Sequence, residues 1–295
     1  MKNGWICLDK PKGISSNKAM IKLRKILKSN TGYIGTLDPF ATGVLPIAIG
    51  EARKFIRFLE ESEKTYVFEI VFGKTTDTLD KNGIIVNSTS NIPGKNRILE
   101  VLGEFEGEIE QIPPVFSAIK INGIRACDRV RKGEVLEIPS RKVNIFAIKM
   151  VDEDLEDNSS AIFKVTCSKG TYIRSLARDI AEKLGSLAYV ESLKRIKSGF
   201  FSIKSAIPLE KLLEIEYTKI IDDFIVPIES PLDDIPALYL ESNVIASLKN
   251  GLHVFIQDRR EIIVSIFDAI SRKFCGIGAV FSGGFVKPVR MYFDN

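Results

Sequence analysis

The order of apolar and polar positions divides the chain into short strands and a few amphipathic helices. Over 64–72 the alternation is strict. Tyr66, Phe68, Ile70 and Phe72 fall on one face and Val67, Glu69 and Val71 on the other, which predicts a strand with one aromatic-rich face. A short apolar run predicts a strand at 5–8. Residues 142–150 and 161–167 read as paired strands joined by a polar, acidic loop over 152–160, and 188–196 reads as a further strand. Helical spacing occurs over 17–28, where Met20, Ile21, Leu23 and Leu27 share a side and Ser15 and Ser16 are suited to capping. It recurs at 51–59, at 97–102, in a short piece at 126–131 and over 171–184, where Ile173, Leu176, Ala177, Ile180 and Leu184 share a face and Gly185 ends the helix. An acidic segment punctuated by Pro208, Pro227, Pro231 and Pro236 reads as a domain connection. After it come a helix at 243–249 and strands at 254–257, 262–267, 274–280 and 285–292. The pattern predicts an α+β fold: a mixed, mainly antiparallel central sheet flanked by helices over 1–235, and a small β-rich domain over 236–295.

Residues 32–50 follow neither period. The stretch holds four glycines, two prolines and one acidic side chain, Asp38, the only carboxylate between Lys28 and Glu51. Gly35, Pro39 and Gly43 frame Asp38 as a stiff turn, because glycine accepts positive φ and proline fixes it. An Asp-Pro step by itself is most often a turn cap. A lone carboxylate inside an apolar stretch, however, costs free energy unless it is paired or reactive.

Composition narrows the chemistry. With 295 residues, 45% of them hydrophobic, the chain can build one large domain and a small one. It has no run of 18 apolar residues and its first residues lack the apolar segment of a signal peptide, so the expectation is a cytoplasmic protein without a membrane partner. Cys7, Cys127, Cys167 and Cys275 are too far apart for paired ligand motifs, and His253 is the single histidine. A metal site and a Ser-His-Asp triad are therefore not expected. Gly73-Lys74-Thr75 looks like the tail of a phosphate-binding loop, but Phe68 stands where that loop needs glycine. The net charge of +4 is unevenly spread. There are eight basic against three acidic residues over 120–149, eight against three over 164–197, and two against nine over 210–241. A polyanion should meet the middle of the chain, including a basic loop at about 120–142, and avoid the segment after Pro208.

Four separated stretches then agree with one family. Leu8-Asp9-Lys10-Pro11-Lys12-Gly13-Ile14-Ser15-Ser16 comes first. Gly35-Thr36-Leu37-Asp38-Pro39 with Ala41-Thr42-Gly43-Val44-Leu45-Pro46, and Gly50-Glu51-Ala52 with Lys54-Phe55, come second. Lys64-Thr65-Tyr66 with Thr76-Asp77-Thr78 is third, and Lys169-Gly170-Thr171-Tyr172-Ile173-Arg174 with Leu193-Lys194-Arg195 is fourth. In this order and over about 5–201, the chain resembles the TruB-type tRNA pseudouridine synthases. The resemblance implies isomerisation of a uridine of tRNA, uridine 55 of the T-loop, to pseudouridine, without a cofactor and by a monomer that binds the T-arm. It implies that Asp38 is the catalytic carboxylate, Arg174 its partner and Tyr66 the ring that stacks on the target base. Tyr172 and Leu193 would pack around the flipped nucleotide, while Lys10 and Pro11 would support the site, Lys10 near a phosphate or the Asp38 loop. The family usually carries histidine where this chain has Tyr33, whose ring would fill the gap left by the base, and often tyrosine where it has Cys127. The last sixty or so residues resemble, through Gly276-Ile277-Gly278 and Lys287-Pro288, the PUA-like RNA-binding domain that ends these enzymes. The rivals are a non-catalytic RNA-binding protein and a hydrolase with paired carboxylates.

Overall fold

The computed structural model describes residues 2–293 except 118, 122, 131, 135, 152–158, 215–221, 258 and 259. Strand β1 (Gly4–Lys10) leads into helix α1 (Ser16–Leu27), capped by Ser15, whose hydroxyl accepts the Lys18 N–H. β2 (Thr31–Tyr33) and β3 (Thr42–Ile49) bracket the Asp38 loop, and a 3₁₀ helix (Gly50–Phe58) follows. Next come β4 (Lys64–Phe72), the hairpin β5 (Lys74–Thr76) and β6 (Ile85–Ser88), α2 (Lys95–Leu102) and β7 (Gly107–Gln111). The basic loop carries β8 (Lys120–Ile121), β9 (Ile124–Arg125) and α3 (Ala126–Val130). β10 (Arg141–Met150), β11 (Ser160–Cys167), α4 (Ile173–Lys183), β12 (Ala188–Ser198), β13 (Phe201–Ser202), β14 (Ile207–Pro208) and α5 (Leu209–Glu214) complete the larger unit. The remainder is β15 (Ala237–Leu240), α6 (Ser242–Lys249), β16 (Val254–Phe255), β17 (Ile262–Asp268), β18 (Phe274–Phe281) and β19 (Phe285–Met291).

Among the described residues the main sheet has ten strands in the order β14-β1-β3-β12-β4-β11-β10-β7, with β2 added to β3 and β13 to β12. It is mixed and mainly antiparallel, as the pattern predicts. Only β1–β14 and β3–β12 run parallel. The smaller sheet, β15-β17-β18-β19-β16, is antiparallel apart from β15–β17.

One face of the main sheet packs against α1, α2, α4 and α5 through a core that includes Ile6, Leu8, Leu23, Leu45, Phe68, Phe163, Leu176, Ile180 and Leu212. The opposite face is covered as well. Trp5, Val44 and Ala48 pack there with Phe55 of the 3₁₀ helix, Ile228, and Phe274 and Ile277 of the small sheet. Burial on both faces explains why β1 and β3 read as unbroken apolar runs.

Three expectations change. β3 lies inside a stretch read as a glycine- and proline-framed loop, because a strand buried on both sides has no alternation to show and Pro46 argues against a central strand. Pro46 is tolerated because it falls between the β3 residues paired with β12 (Thr42, Gly43) and those paired with β2 (Ile47 to Ile49). The helix expected at 51–59 is 3₁₀ rather than α. The segment that begins at Pro208 is not a bare connection: Pro208 belongs to β14, which extends the sheet, Leu209 and Leu212 enter the main core, and Val226 exchanges two backbone hydrogen bonds with Trp5 at 2.8 Å each. Most of the loop expected at 152–160 lies outside the described residues, as does 215–221 of the acidic segment.

Trp5 ties these layers together. It is fully buried, its indole N–H donates to the Ile228 carbonyl at 3.0 Å, and its ring lies 5.9 Å from that of Phe201. Trp5→Ala should lower the unfolding free energy by ~3–5 kcal/mol. The check is a urea titration, in which the midpoint falls and the slope is unchanged.

Candidate active site

The Asp38 loop leaves the sheet between β2 and β3 and is pinned from two sides. On one side the Ser16 hydroxyl, at the start of α1, accepts from the Leu37 N–H at 2.8 Å and donates to the Leu37 carbonyl at 3.0 Å. The Gly13 N–H donates to the Pro39 carbonyl at 2.7 Å. On the other side Arg195, buried on β12, donates through Nε to the Val44 carbonyl at 2.7 Å and through Nη2 to the Gly35 carbonyl at 2.8 Å. Gly35 and Gly43 have φ of +67° and +100°, and a Cβ on either would approach Arg195 atoms at 2.8 and 2.2 Å. Glycine is required at both by the approach of Arg195 as much as by the turn.

Asp38 faces Arg174, the second residue of α4. Nη2 donates to Oδ1 at 3.2 Å, and Nε lies 2.9 Å from Oδ2, at ionic distance but off the hydrogen-bond axis. The arginine side chain is 4% exposed and the aspartate side chain 32%, so the carboxylate is presented to solvent on a buried cation. Arg174 also donates through Nη1 to the Thr78 carbonyl at 2.8 Å and through Nη2 to the Phe116 carbonyl at 3.1 Å. Asp80 Oδ2 lies 3.5 Å from Nη1. Burial pushes the Asp80 carboxyl above its ordinary range, while the Asn82 N–H, Arg174 and Thr78 oppose the rise. The guanidinium thus sits between two carboxylates, of which only Asp38 lines the cavity.

That cavity, of about 510 Å³, is also lined by Tyr33, Lys64, Tyr66, Tyr172, Leu193 and Arg195. The structure therefore brings together Asp38, Arg174, Tyr66, Tyr33, Tyr172 and Leu193. Burial raises the Tyr66 phenol above its ordinary range, with Arg195 opposing, so it is held protonated near neutral pH. Tyr172 caps α4, where its N–H donates to the Gln111 side-chain carbonyl at 2.7 Å, and the Arg141 guanidinium lies 4.5 Å above its ring. Lys10 and Pro11 are not part of the lining. Lys10 is sealed from solvent and donates to the Pro11 and Ile14 carbonyls at 2.8 Å each; burial pulls its ammonium down to about 8, with Asp38 opposing. It braces the turn behind the Asp38 loop, and no phosphate can reach it there.

Three residues at the site were not assigned a site role from the sequence: Asp80 was not named, Arg195 was named only within a motif, and Ser16 only as a helix cap and within a motif. Arg195 carried a usable signal, because it is two residues from Leu193 on one strand and so shares its buried face. Asp80 carried none, since its partner is far away in the chain.

Two family models match the chain: the TruB family pseudouridylate synthase N-terminal domain over residues 22–173 and the tRNA pseudouridylate synthase B C-terminal domain over 174–233. A tRNA pseudouridine synthase B of Zymomonas mobilis is 44% identical over 255 residues, covering 84% of this chain and 83% of the relative. One of Caulobacter vibrioides is 41% identical over 259 residues, covering 88% and 83%. The solved structure of a Cbf5-Nop10-Gar1 complex contains a chain that superposes with a TM-score of 0.73 at 24% identity, over 99% of this chain and 84% of that one, a likeness of fold. The chain belongs to the TruB family of pseudouridylate synthases.

Arg174 makes contacts to Asp38, Thr78, Phe116 and Asp80 through three nitrogens of one plane, which a single ammonium cannot reproduce. Arg174→Lys should reduce kcat by ~10²-fold or more while the fold persists. Single-turnover kinetics with circular dichroism on the same sample checks both.

Proposed function

We propose that this protein isomerises a uridine of tRNA, uridine 55 of the T-loop, to pseudouridine, with Asp38 as the group that attacks the flipped nucleotide. One observation carries the reading: a solvent-facing carboxylate held by a buried guanidinium at the wall of a cavity lined by Tyr66, Tyr172 and Leu193. The reaction breaks the bond from uracil N1 to ribose C1′, turns the base, and forms a bond from C5 to C1′. The proton lost from C5 is balanced by one gained at N1, so atoms and electrons balance without an oxidant. A carboxylate acting as nucleophile or base is sufficient for such a scheme. The rings of Tyr66 and Tyr172 and the side chain of Leu193 supply flat apolar walls for a uracil, and Tyr33, partly buried against the core on the approach to Asp38, supplies a ring for the vacated stack.

The other readings fit less well. A hydrolase with paired carboxylates needs both held at the substrate, yet Asp80 lies behind Arg174 with its side chain 9% exposed, and Glu60, the other carboxylate in the lining, is an exposed residue that no arginine among the described residues orients. A binding-only protein has no use for a carboxylate oriented by a buried arginine at the cost of burying that charge. In the same reading the unit after 235 is a PUA-like RNA-binding domain, supported by exposed Lys287 and Arg290 on β19. The cytoplasm as its setting is supported by four free cysteines; no helix among the described residues is long and apolar enough to cross a membrane.

Asp38→Asn should lower turnover by at least ~10⁴ while tRNA affinity stays within a few-fold. Release of tritium from C5-labelled uridine in tRNA measures the first and filter binding the second; retention of a tenth of the activity would remove Asp38 from the role.

Tyr33→Ala should weaken RNA binding or slow flipping by ~10–100-fold, since an aromatic ring on a base is worth about 1–3 kcal/mol. Tyr33→Phe should be nearly silent and Tyr33→His tolerated. A lowered melting temperature with full activity per folded molecule would instead make Tyr33 a packing residue.

A further inference from the structure

A second concavity, of about 830 Å³, is lined by eleven residues, six of them lysine or arginine. Arg24, Lys25 and Lys28 come from the last turn of α1 and its end, Arg53 and Lys54 from the 3₁₀ helix, and Arg290 from β19 of the small unit. The one acidic residue in the lining, Glu51, is occupied by Lys54 at 2.5 Å. Among the described residues no ion pair involves Arg24, Lys25, Lys28, Arg53 or Arg290, and the buried Ser29 hydroxyl on the wall has no hydrogen-bond partner. Five uncompensated cations around one depression repel each other, and a polyanion relieves that repulsion.

The groove is joined to the active site by a short path. Asn30 is on its wall, β2 follows as Thr31, Gly32 and Tyr33, and Tyr33 is on the wall of the catalytic cavity. Three extended residues span about 10 Å. Gly32 lies against Ile56 and Arg53, so the path runs along the 3₁₀ helix that carries two of the cations. The Arg57 guanidinium donates to the Val289 carbonyl at 3.3 Å, which fixes β19 beside this helix and keeps Arg290 on the far wall.

On the strength of the function proposed above, we infer that this groove holds the phosphate backbone of the RNA beyond the flipped nucleotide. It would grip backbone without reading sequence. Arginine forks and lysine ammoniums match phosphate oxygens, and a helical RNA stem offers side chains mainly its backbone and shape. Its position places the grip on both structural units at once, so the small unit contributes to binding through Arg290.

The test is the triple substitution Arg24→Gln, Lys28→Gln, Arg53→Gln in the full chain, with transcribed tRNA as the probe. A control of equal charge change, Lys204→Gln, Lys211→Gln, Lys273→Gln, touches exposed lysines that line neither cavity. The groove variant should bind at least ~10-fold more weakly near 0.1 M salt, with the log–log salt slope smaller by about 2–3, the loss appearing in KM as in Kd. The control should stay within about three-fold of wild type. An unchanged Kd and salt slope in the groove variant overturns the inference and leaves an acidic protein surface as the alternative occupant. Equal losses in the two variants overturn it too, because net charge would then explain both. Wild-type protein that binds tRNA but makes no pseudouridine defeats the proposed function and not the groove. Normal wild-type turnover with an unaffected groove variant does the reverse.

Discussion

A guanidinium sealed from water between two carboxylates is the contact on which the rest of the site depends. Arg174 reaches Asp38, Asp80 and the carbonyls of Thr78 and Phe116, which come from three segments 136, 96 and 58 residues away in the chain. Such a contact is a poor source of net stability, because taking the charges out of water costs about what their attraction returns. Its value is geometric. With both terminal nitrogens committed, the arginine has one position, and that position fixes the carboxylate in front of it. Leu79, between Thr78 and Asp80, is held at a φ of +59°, a conformation that costs an ordinary residue about 1–3 kcal/mol. The backbone there accepts strain and delivers a carbonyl and a carboxylate to the same arginine.

What could be read from the sequence follows from whether a residue's partners are near in the chain or its periodicity is visible. Asp38 was legible because it is the lone charge in an apolar stretch. β4 and α4 were legible because each has one buried face. β3 was hidden, since burial on both faces removes the alternation, and Pro46 disguised it further. Arg195 was legible as a buried position beside Leu193, but its role was not. Its partners are the backbone carbonyls of Gly35 and Val44, and carbonyls leave no mark on a sequence. Lys10 shows the converse hazard: a lysine in a motif invites a phosphate, yet this one spends its ammonium on two carbonyls inside the turn. Tyr172 and Leu193 could be assigned only by resemblance, and the structure then set them on the wall of one cavity.

The site occupies a place where the sheet is deliberately incomplete. β12 runs parallel to β3 only at Thr42 and Gly43, and β2 takes over as the partner of β3 from Ile47 to Ile49. Between these two pairings β3 has Pro46, whose carbonyl receives the Ile34 N–H at 3.1 Å. The loop that carries Asp38 crosses this gap, and Arg195 fills it with donors that a ladder would otherwise supply. A buried cation in place of a strand neighbour lets the loop leave the sheet without stranding carbonyls.

This rigidity decides where the work of the reaction falls. The Asp38 loop is fastened by Ser16 and Gly13 on one side and Arg195 on the other, so it has little freedom to search for a base stacked inside an RNA loop. In the function proposed above the RNA has to change shape instead, and extruding a stacked nucleotide costs a few kcal/mol. A cavity that touches one nucleotide is a limited source of free energy for that deformation. Contacts remote from the reacting atoms can supply it, provided that they are made by the bent RNA and not by the relaxed one. A basic groove set one short strand away, fixed to the same β2 that presents Tyr33, is placed for that in the inference drawn above: phosphates held there would define where the chain must enter the cavity. The fold joins the stiff Asp38 loop to a basic groove through a single strand, and in the proposed function that leaves distortion to the RNA.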